Sequence, residues 1–257
     1  MGHARDTEAG MSIDSEKDLK ALQIIGKIVS IAREEMIKAA KPGISTKELD
    51  RIGEKVLLSY GARSAPKFEY NFPGHTCISV NEEVAHGIPG PRVLKQGDMV
   101  NIDVSAELDG YFADTGATVV LEDSRSFKTT LCDASQTALS KGIGKARAGT
   151  KINQIGKAIQ NQARENGFTV IKNLTGHGIG RKLHEEPAHI LNYFDIWDNR
   201  ILNTGLVLAI ETFVSTRAEF VIQDKNGWTL KTPDRSLVAQ FEHTVVVTED
   251  EPIILTA

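Results

Sequence analysis

The sequence predicts an α+β fold assembled from two similar halves, and three observations carry that prediction. The order of elements reads helix, helix, strands, and then helix, helix, strands again. His86-Gly87-Ile88 in the first half is echoed by His177-Gly178-Ile179 in the second. Ile102-Asp103-Val104 is echoed by Ile210-Glu211-Thr212, and each half then supplies a second strand carboxylate, Asp114 and Glu242. A single His-Gly-Ile is easily accidental. A pair at matching places, each followed by matched acids, points to two αα-ββ halves related by pseudo-symmetry and fused into one unit. The expected boundaries are a flexible N-terminal extension over 1–14 and a single domain over 15–257, with halves of about 15–121 and 122–257.

Each element has a local reason. Ser15-Glu16-Lys17-Asp18 places an acid three residues after a serine, a helix start. Leu19, Leu22, Ile25, Ile28, Val29, Met36 and Ile37 then keep helical spacing until Lys41-Pro42-Gly43. A second helix opens at Ser45 with Glu48 completing Ser-x-x-Glu and ends near Tyr60-Gly61. Strands are expected over Thr76–Val80, Met99–Ala106 and Tyr111–Leu121, the last two joined by Leu108-Asp109-Gly110, a hairpin signal. Helical pattern returns over Ser126–Ala146 and Asn153–Asn166. Strands resume over Phe168–Ile171, Val207–Ser215, Glu219–Ile222 and Val238–Thr248.

Composition narrows the class without naming a function. The 257 residues carry 30 basic and 34 acidic side chains, a net charge of −4, with 40% hydrophobic and 25% charged residues. At about 150 residues per domain this allows one large domain or a pair of small ones. A slightly acidic chain lacks the basic surface that phosphate neutralisation requires. Cys77 and Cys132 are the only cysteines, and no C-x-x-C is present, so a disulfide scaffold and a cysteine zinc site are excluded and a reducing cytosol is expected. No apolar run approaches the roughly 20 residues of a membrane span, and the polar start of the chain is unlike a secretory signal.

The chemistry lies in the strand carboxylates. Alternation puts Asn101, Asp103 and Ser105 on one face of their strand. Val207-Leu208-Ala209-Ile210-Glu211-Thr212-Phe213 reads as a strand buried on both faces, where a lone glutamate costs several kcal/mol unless it is paired or bound to metal. Glu242 lies in another such strand, and Asp114 follows Tyr111-Phe112-Ala113. A single buried acid usually accepts backbone or hydroxyl hydrogen bonds. Symmetric acids sharing one core need cations to neutralise them. Oxygen-rich ligation with one or two imidazoles suits Mn, Fe, Co or Zn. A pair of such ions would activate a water and clamp the oxygens of a hydrolytic transition state.

Five stretches resemble the bacterial type I methionine aminopeptidases: Asn81-Glu82-Glu83-Val84-Ala85-His86-Gly87-Ile88-Pro89, Gly97-Asp98-Met99-Val100-Asn101-Ile102-Asp103, Gly176-His177-Gly178-Ile179-Gly180, His184-Glu185-Glu186-Pro187 and Glu242-His243-Thr244. They stand in family order, and the likeness runs from about residue 15 to the C-terminus. The resemblance implies the pseudo-two-fold "pita-bread" fold, with a central antiparallel sheet and helices on its outer face. It also implies removal of an initiator methionine that precedes a small residue. It assigns Asp103, Asp114, His177, Glu211 and Glu242 as ligands of two divalent ions (Co, Mn, Fe or Zn), with Asp114 and Glu242 bridging. Glu211 is further implied as proton shuttle, and His86 and His184 as substrate contacts, His184 near the scissile carbonyl. Cys77, Phe72 and Trp228 fall where the family lines its methionine pocket. The implied partners are methionyl peptides and nascent chains, at the ribosome among other places, met by a cytoplasmic monomer; sequence-specific nucleic acid and membrane are not implied. The chain departs from the family pattern at Thr212, where proline is usual, at Leu183, where an aromatic is common, and at Glu69, where some members carry tyrosine.

Rival readings are a Xaa-Pro aminopeptidase or prolidase of the same fold and, more distantly, a binding module without catalysis. His184-Glu185-Glu186-Pro187-Ala188-His189 is not an H-E-x-x-H helix, because the spacing is one too long and Pro187 breaks helix. His189, His243 and Cys132 are expected to be structural, while His75 stands open between the two roles.

Overall fold

The protein is described by a computed structural model that covers residue 13, residues 15–123 and residues 126–257. The extension expected over 1–14 lies outside the described residues except for Ile13, which packs against the first-half core.

Helix α1 (Glu16–Ala39) begins where the Ser15 hydroxyl accepts the Asp18 amide. Helix α2 (Thr46–Ser59) begins in a complete capping box, in which Ser45 and Glu48 each accept the other's amide. These caps satisfy N–H groups that the first turn leaves without partners. Next come β1 (Arg63–Ser64), α3 (Ala65–Tyr70), β2 (Cys77–Val80), β3 (Glu83–Ala85), β4 (Met99–Leu108) and β5 (Tyr111–Val120). The second half repeats the opening with α4 (Phe127–Ile143) and α5 (Asn153–Glu165). It continues with β6 (Thr169–Val170), β7 (Thr175–Gly178), β8 (Glu185–Leu191) and β9 (Val207–Ser215). The chain closes with β10 (Ile222–Gln223), β11 (Leu230–Lys231), β12 (Val238–Val246) and β13 (Ile253–Ile254).

Among the described residues the strands form three antiparallel ladders. One runs β1-β4-β2 with β5 on β4; another runs β13-β12-β9-β7-β8 with β6 on β9; the smallest, β10-β11-β3, joins a ribbon of the second half to a strand of the first. The two larger ladders meet where β5 lies along β12. Here threonine hydroxyls replace a backbone ladder: the Asp114 amide donates to Thr244 Oγ1 at 2.9 Å, Thr244 Oγ1 donates to the Asp114 carbonyl at 2.7 Å, and Thr118 Oγ1 donates to the Gln240 carbonyl at 2.7 Å.

Each half buries one side of its strands under its own helices. Leu22, Ile25, Val29 and Met36 of α1 belong to one core with Ile102 and Val104 of β4. Leu131 and Leu139 of α4 belong to another with Ile210 of β9 and Ala239 and Val245 of β12. Because side chains alternate along a strand, the residues between these apolar ones point the other way, toward the middle of the molecule. Those are the positions of the acids.

Some expectations shift. Glu219–Ile222 is not a strand; Phe220 is exposed, the Glu219 carbonyl accepts from Lys172, and only Ile222–Gln223 pairs, with β11. Conversely, β7, β8 and the single-turn scale of α3 gave no sequence signal. In β8 the residues Glu186, Ala188 and His189 are exposed around buried Pro187 and Ile190, a pattern without alternation.

Candidate metal centre

The hairpin of β4 and β5 is set by its turn. Asp109 and Gly110 both adopt positive φ, 52° and 83°, the primed-turn geometry that follows strand twist. The resulting register puts Ser105 opposite Asp114 and Asp103 opposite Gly116, so both acids lie on one face. In the other ladder Glu211 pairs with Glu242, and His177 of β7 pairs with Ala209, on the same face of β9 as Glu211. Asp114, His177 and Glu242 come together most closely, with ligating atoms all within 4.8 Å of one another and all three residues buried. Asp103 and Glu211 line the same cavity, outside that tightest group.

Burial dominates the electrostatics. It drives Asp114 up to about 6 and holds Asp103, Glu211 and Glu242 well above the usual carboxylate range. Repulsion from neighbouring acids adds to the effect at the last three. The interaction between the two side chains pushes Asp103 further up and pulls Asp114 down. His177 moves the other way, down to about 3, through burial and then the charges of His184 and His86. Its Nδ1 lies 2.9 Å from the Gly178 carbonyl. A carbonyl only accepts, so Nδ1 carries the proton and the Nε2 lone pair is free. Asp114 Oδ1 is buried and makes no hydrogen bond among the described residues. Crowded carboxylates, an unused acceptor and one neutral imidazole fit a divalent-cation centre of oxygen and nitrogen donors.

Close packing explains the glycines beside His177. A Cβ on Gly178 would lie 2.2 Å from the Glu186 carbonyl, and one on Gly176 would lie 2.4 Å from that of Ala209. Glycine at both places lets β7 press between β8 and β9.

The cavity above the acids has a volume of about 290 Å³, and each sequence-predicted site residue reaches it. Phe72 and Trp228 form an apolar end in which their rings meet edge to face at 5.2 Å, and Cys77, paired with Asp103 across β2 and β4, lines the cavity beside the acids. Trp228 is carried there by the ribbon that pairs β11 with β3. His86 holds φ at 54°, an uncommon conformation for a residue with a side chain, and burial lowers its pKa. His184 lies 4.1 Å from His177, ring centre to ring centre.

Sequence reasoning missed two residues. Gln240 Nε2 donates to Glu242 Oε2 at 3.0 Å, and Gln240 Oε1 accepts from Asn101 Nδ2 at 2.7 Å. The signal was available, since Gln240 precedes Glu242 by one strand period. Tyr70, at the end of α3, lines the cavity and its hydroxyl lies 2.7 Å from His184 Nδ1. Glu69, beside it in the chain, is exposed and does not line the cavity. Leu183 does line the cavity. His243 is tied to Thr256 at 2.8 Å and His189 to Thr175 at 3.1 Å, the latter at the cavity wall. His75 lies outside this cavity, its Nε2 2.9 Å from both Glu54 Oε1 and Lys67 Nζ. Cys132 is buried in the second core.

Residues 20–249 match the description "Metallopeptidase family M24". "Methionine aminopeptidase 2" of Bacillus subtilis (strain 168) is 55% identical over 247 residues, 96% of this chain and 99% of that one. The chain belongs to metallopeptidase family M24, among its methionine aminopeptidases. An M24 fold is equally plain in three dimensions. The methionine aminopeptidase structure from Rickettsia prowazekii superposes with a TM-score of 0.92 at 36% identity, covering 97% of this chain and 100% of that one. The prolidase from Pyrococcus furiosus gives a TM-score of 0.77 at 20% identity, covering 96% of this chain and 66% of its own. That likeness is one of fold alone. The α+β pita-bread architecture expected of an M24 chain is thus present, its antiparallel centre built as ladders joined at the β5–β12 seam.

Proposed function

We propose that this protein removes the N-terminal methionine from peptides and new polypeptides whose second residue is small, by hydrolysis of the first peptide bond. The observation that carries the reading is that the buried acid cradle and the apolar side chains of Phe72, Cys77 and Trp228 line one cavity, in a chain that belongs to the methionine aminopeptidases. Asp103, Asp114, His177, Glu211 and Glu242 would hold two divalent cations. Bound there, the cations would supply Lewis acidity to the scissile carbonyl and lower the pKa of an attacking water. Glu211 would take a proton from the attacking water and deliver it to the leaving amine. His184 donates to the carbonyl oxygen as negative charge develops, and His86 contacts the substrate beside it. Phe72, Trp228 and Cys77 exclude water and hold the flexible thioether side chain.

In this reading residues 15–257 act as one catalytic unit, with halves of about 15–121 and 122–257. The shared seam between the ladders supports it. The protein would work as a monomer in the cytoplasm, on nascent chains at the ribosome among other substrates. Two buried free cysteines agree with a reducing compartment, and among the described residues no helix is long and apolar enough to cross a membrane.

The test is release of methionine from Met-Ala-Ser, against a Xaa-Pro peptide, with Mn, Fe, Co and Zn supplied in turn. Cleavage of Met-Ala-Ser with at least one of these ions is expected. Cleavage of the Xaa-Pro peptide alone would replace the proposal with its prolidase-like rival. No bound metal and no turnover with any ion would leave a binding module.

A further inference from the structure

We propose that Tyr70 is a positioning residue that holds His184 in the tautomer with its proton on Nε2, so that an N–H and not a lone pair faces the reacting carbonyl. The inference deepens the proposed function and rests on it for the role of His184.

The geometry begins with α3, which is pinned at its start by Ser64: its hydroxyl accepts from the Lys67 amide and donates to the His75 carbonyl at 2.7 Å. Tyr70 is the last residue of that helix, and Asn71 after it turns the chain with φ of 58°. The Tyr70 hydroxyl then crosses from the first half of the molecule to the second, 2.7 Å from His184 Nδ1. The two rings also touch, with centres 5.6 Å apart.

The polarity of that bond follows from chemistry. A phenol is a good donor and, with its oxygen lone pair conjugated into the ring, a poorer acceptor than an imidazole nitrogen. Burial, reinforced by the charge of Glu69, raises the Tyr70 pKa, which keeps the proton on its oxygen. The phenol therefore donates to Nδ1, and neutral His184 must carry its own proton on Nε2.

His177 gives the contrast. It bonds through the same ring atom, Nδ1, but to the Gly178 carbonyl, which can only accept. Two imidazoles with centres 4.1 Å apart are thus set in opposite tautomers by what each Nδ1 meets. His177 offers a lone pair and fits a ligand. His184 offers a hydrogen, which excludes it from cation binding and suits it to polarise a carbonyl. Tyr70 is the residue that makes neighbouring histidines chemically unlike.

The test uses zinc-loaded protein with nitrogen-15-labelled histidines, the His184 signals being assigned by their loss in His184→Gln. The wild-type spectrum should show an unprotonated Nδ1 and a protonated Nε2 at His184. Tyr70→Phe should give a mixture of tautomers, with kcat on Met-Ala-Ser lowered about 10-fold and KM within about 2-fold. An Nδ1-protonated His184 in wild type overturns the proposal, whether or not the variant folds. So does a Tyr70→Phe variant with unchanged spectrum, since any fall in kcat would then come from pocket shape. A changed spectrum with unchanged kcat overturns it as well. Failure of wild type to cleave Met-Ala-Ser removes the proposed function instead, while the spectrum still decides the tautomer.

Discussion

Glu211 and Glu242 stand directly opposite each other across β9 and β12. Like charges at facing positions repel, and burial makes these acids worse neighbours still, so each holds its proton well above the usual carboxylate range. Asp103 and Asp114 share that condition. The cradle is thus under electrostatic load unless protons or cations relieve it.

That load has a sign in pH. The raised acids bind protons in the folded chain that the unfolded chain has released, so they lower stability as pH rises from the ordinary carboxylate range through about 6 at Asp114. In chelator, Asp114→Asn should melt on the order of 5 °C above wild type near pH 7.5, with the gap closing toward about pH 4. Saturating zinc should reverse the order, because the variant loses a ligand. Calorimetry at both pH values checks this; a variant less stable than wild type in chelator at neutral pH would contradict it.

Gly116 faces Asp103 across the hairpin and leaves room for Gln240, whose Oε1 lies 2.2 Å from where a Cβ would stand. Gly116→Ala should push Gln240 off Glu242 and Asn101 and weaken cation affinity by about 10- to 100-fold. Titration calorimetry with zinc measures it, and unchanged affinity would show that Gln240 does not orient Glu242.

Thr212, where the family usually has proline, is fully buried on the helix side of β9. Its hydroxyl lies 2.8 Å from that of Ser135 on α4, and the Ser135 hydroxyl also donates to the Ala239 carbonyl of β12 at 2.8 Å. Thr212→Val should destabilise by about 1–2 kcal/mol. Adding Ser135→Ala should cost less than the separate losses together, because the two hydroxyls share one contact that either substitution already removes. Denaturant unfolding of the four proteins in that cycle gives the coupling.

Trp228 meets Phe72 edge to face at the apolar end. Trp228→Ala should raise KM for Met-Ala-Ser by about 10-fold and change kcat less, since on the proposed function the ring would touch the methionine side chain and not the reacting carbonyl. Steady-state kinetics decides; a larger loss in kcat would place the ring in the chemistry.

Much of this was legible in the sequence. Periodicity located α1, α2, α4 and α5, and the apolar runs located β9 and β12, because their faces are sorted by burial. The acids were legible for the opposite reason: charge where pattern demands none. Strand β8 was not, since its exposed residues and proline erase alternation, and it is held by neighbours on β7. Tyr70 was hidden because its partner lies 114 residues away, on an element without a periodic signal. Gln240 was within reach, as its period-two relation to Glu242 placed it on the acid face.

The seam between β5 and β12 ties Asp114 to Thr244 across 130 residues, and the cradle draws its donors from both sides of it. A polypeptide still being made, with β12 not yet translated, lacks Glu242 and has no Thr244 to tie Asp114 in place. On the proposed function this imposes a delay on a peptidase born among its own substrates. Each molecule stays inert beside the fresh N-termini around it until β12 has been made and has docked along β5.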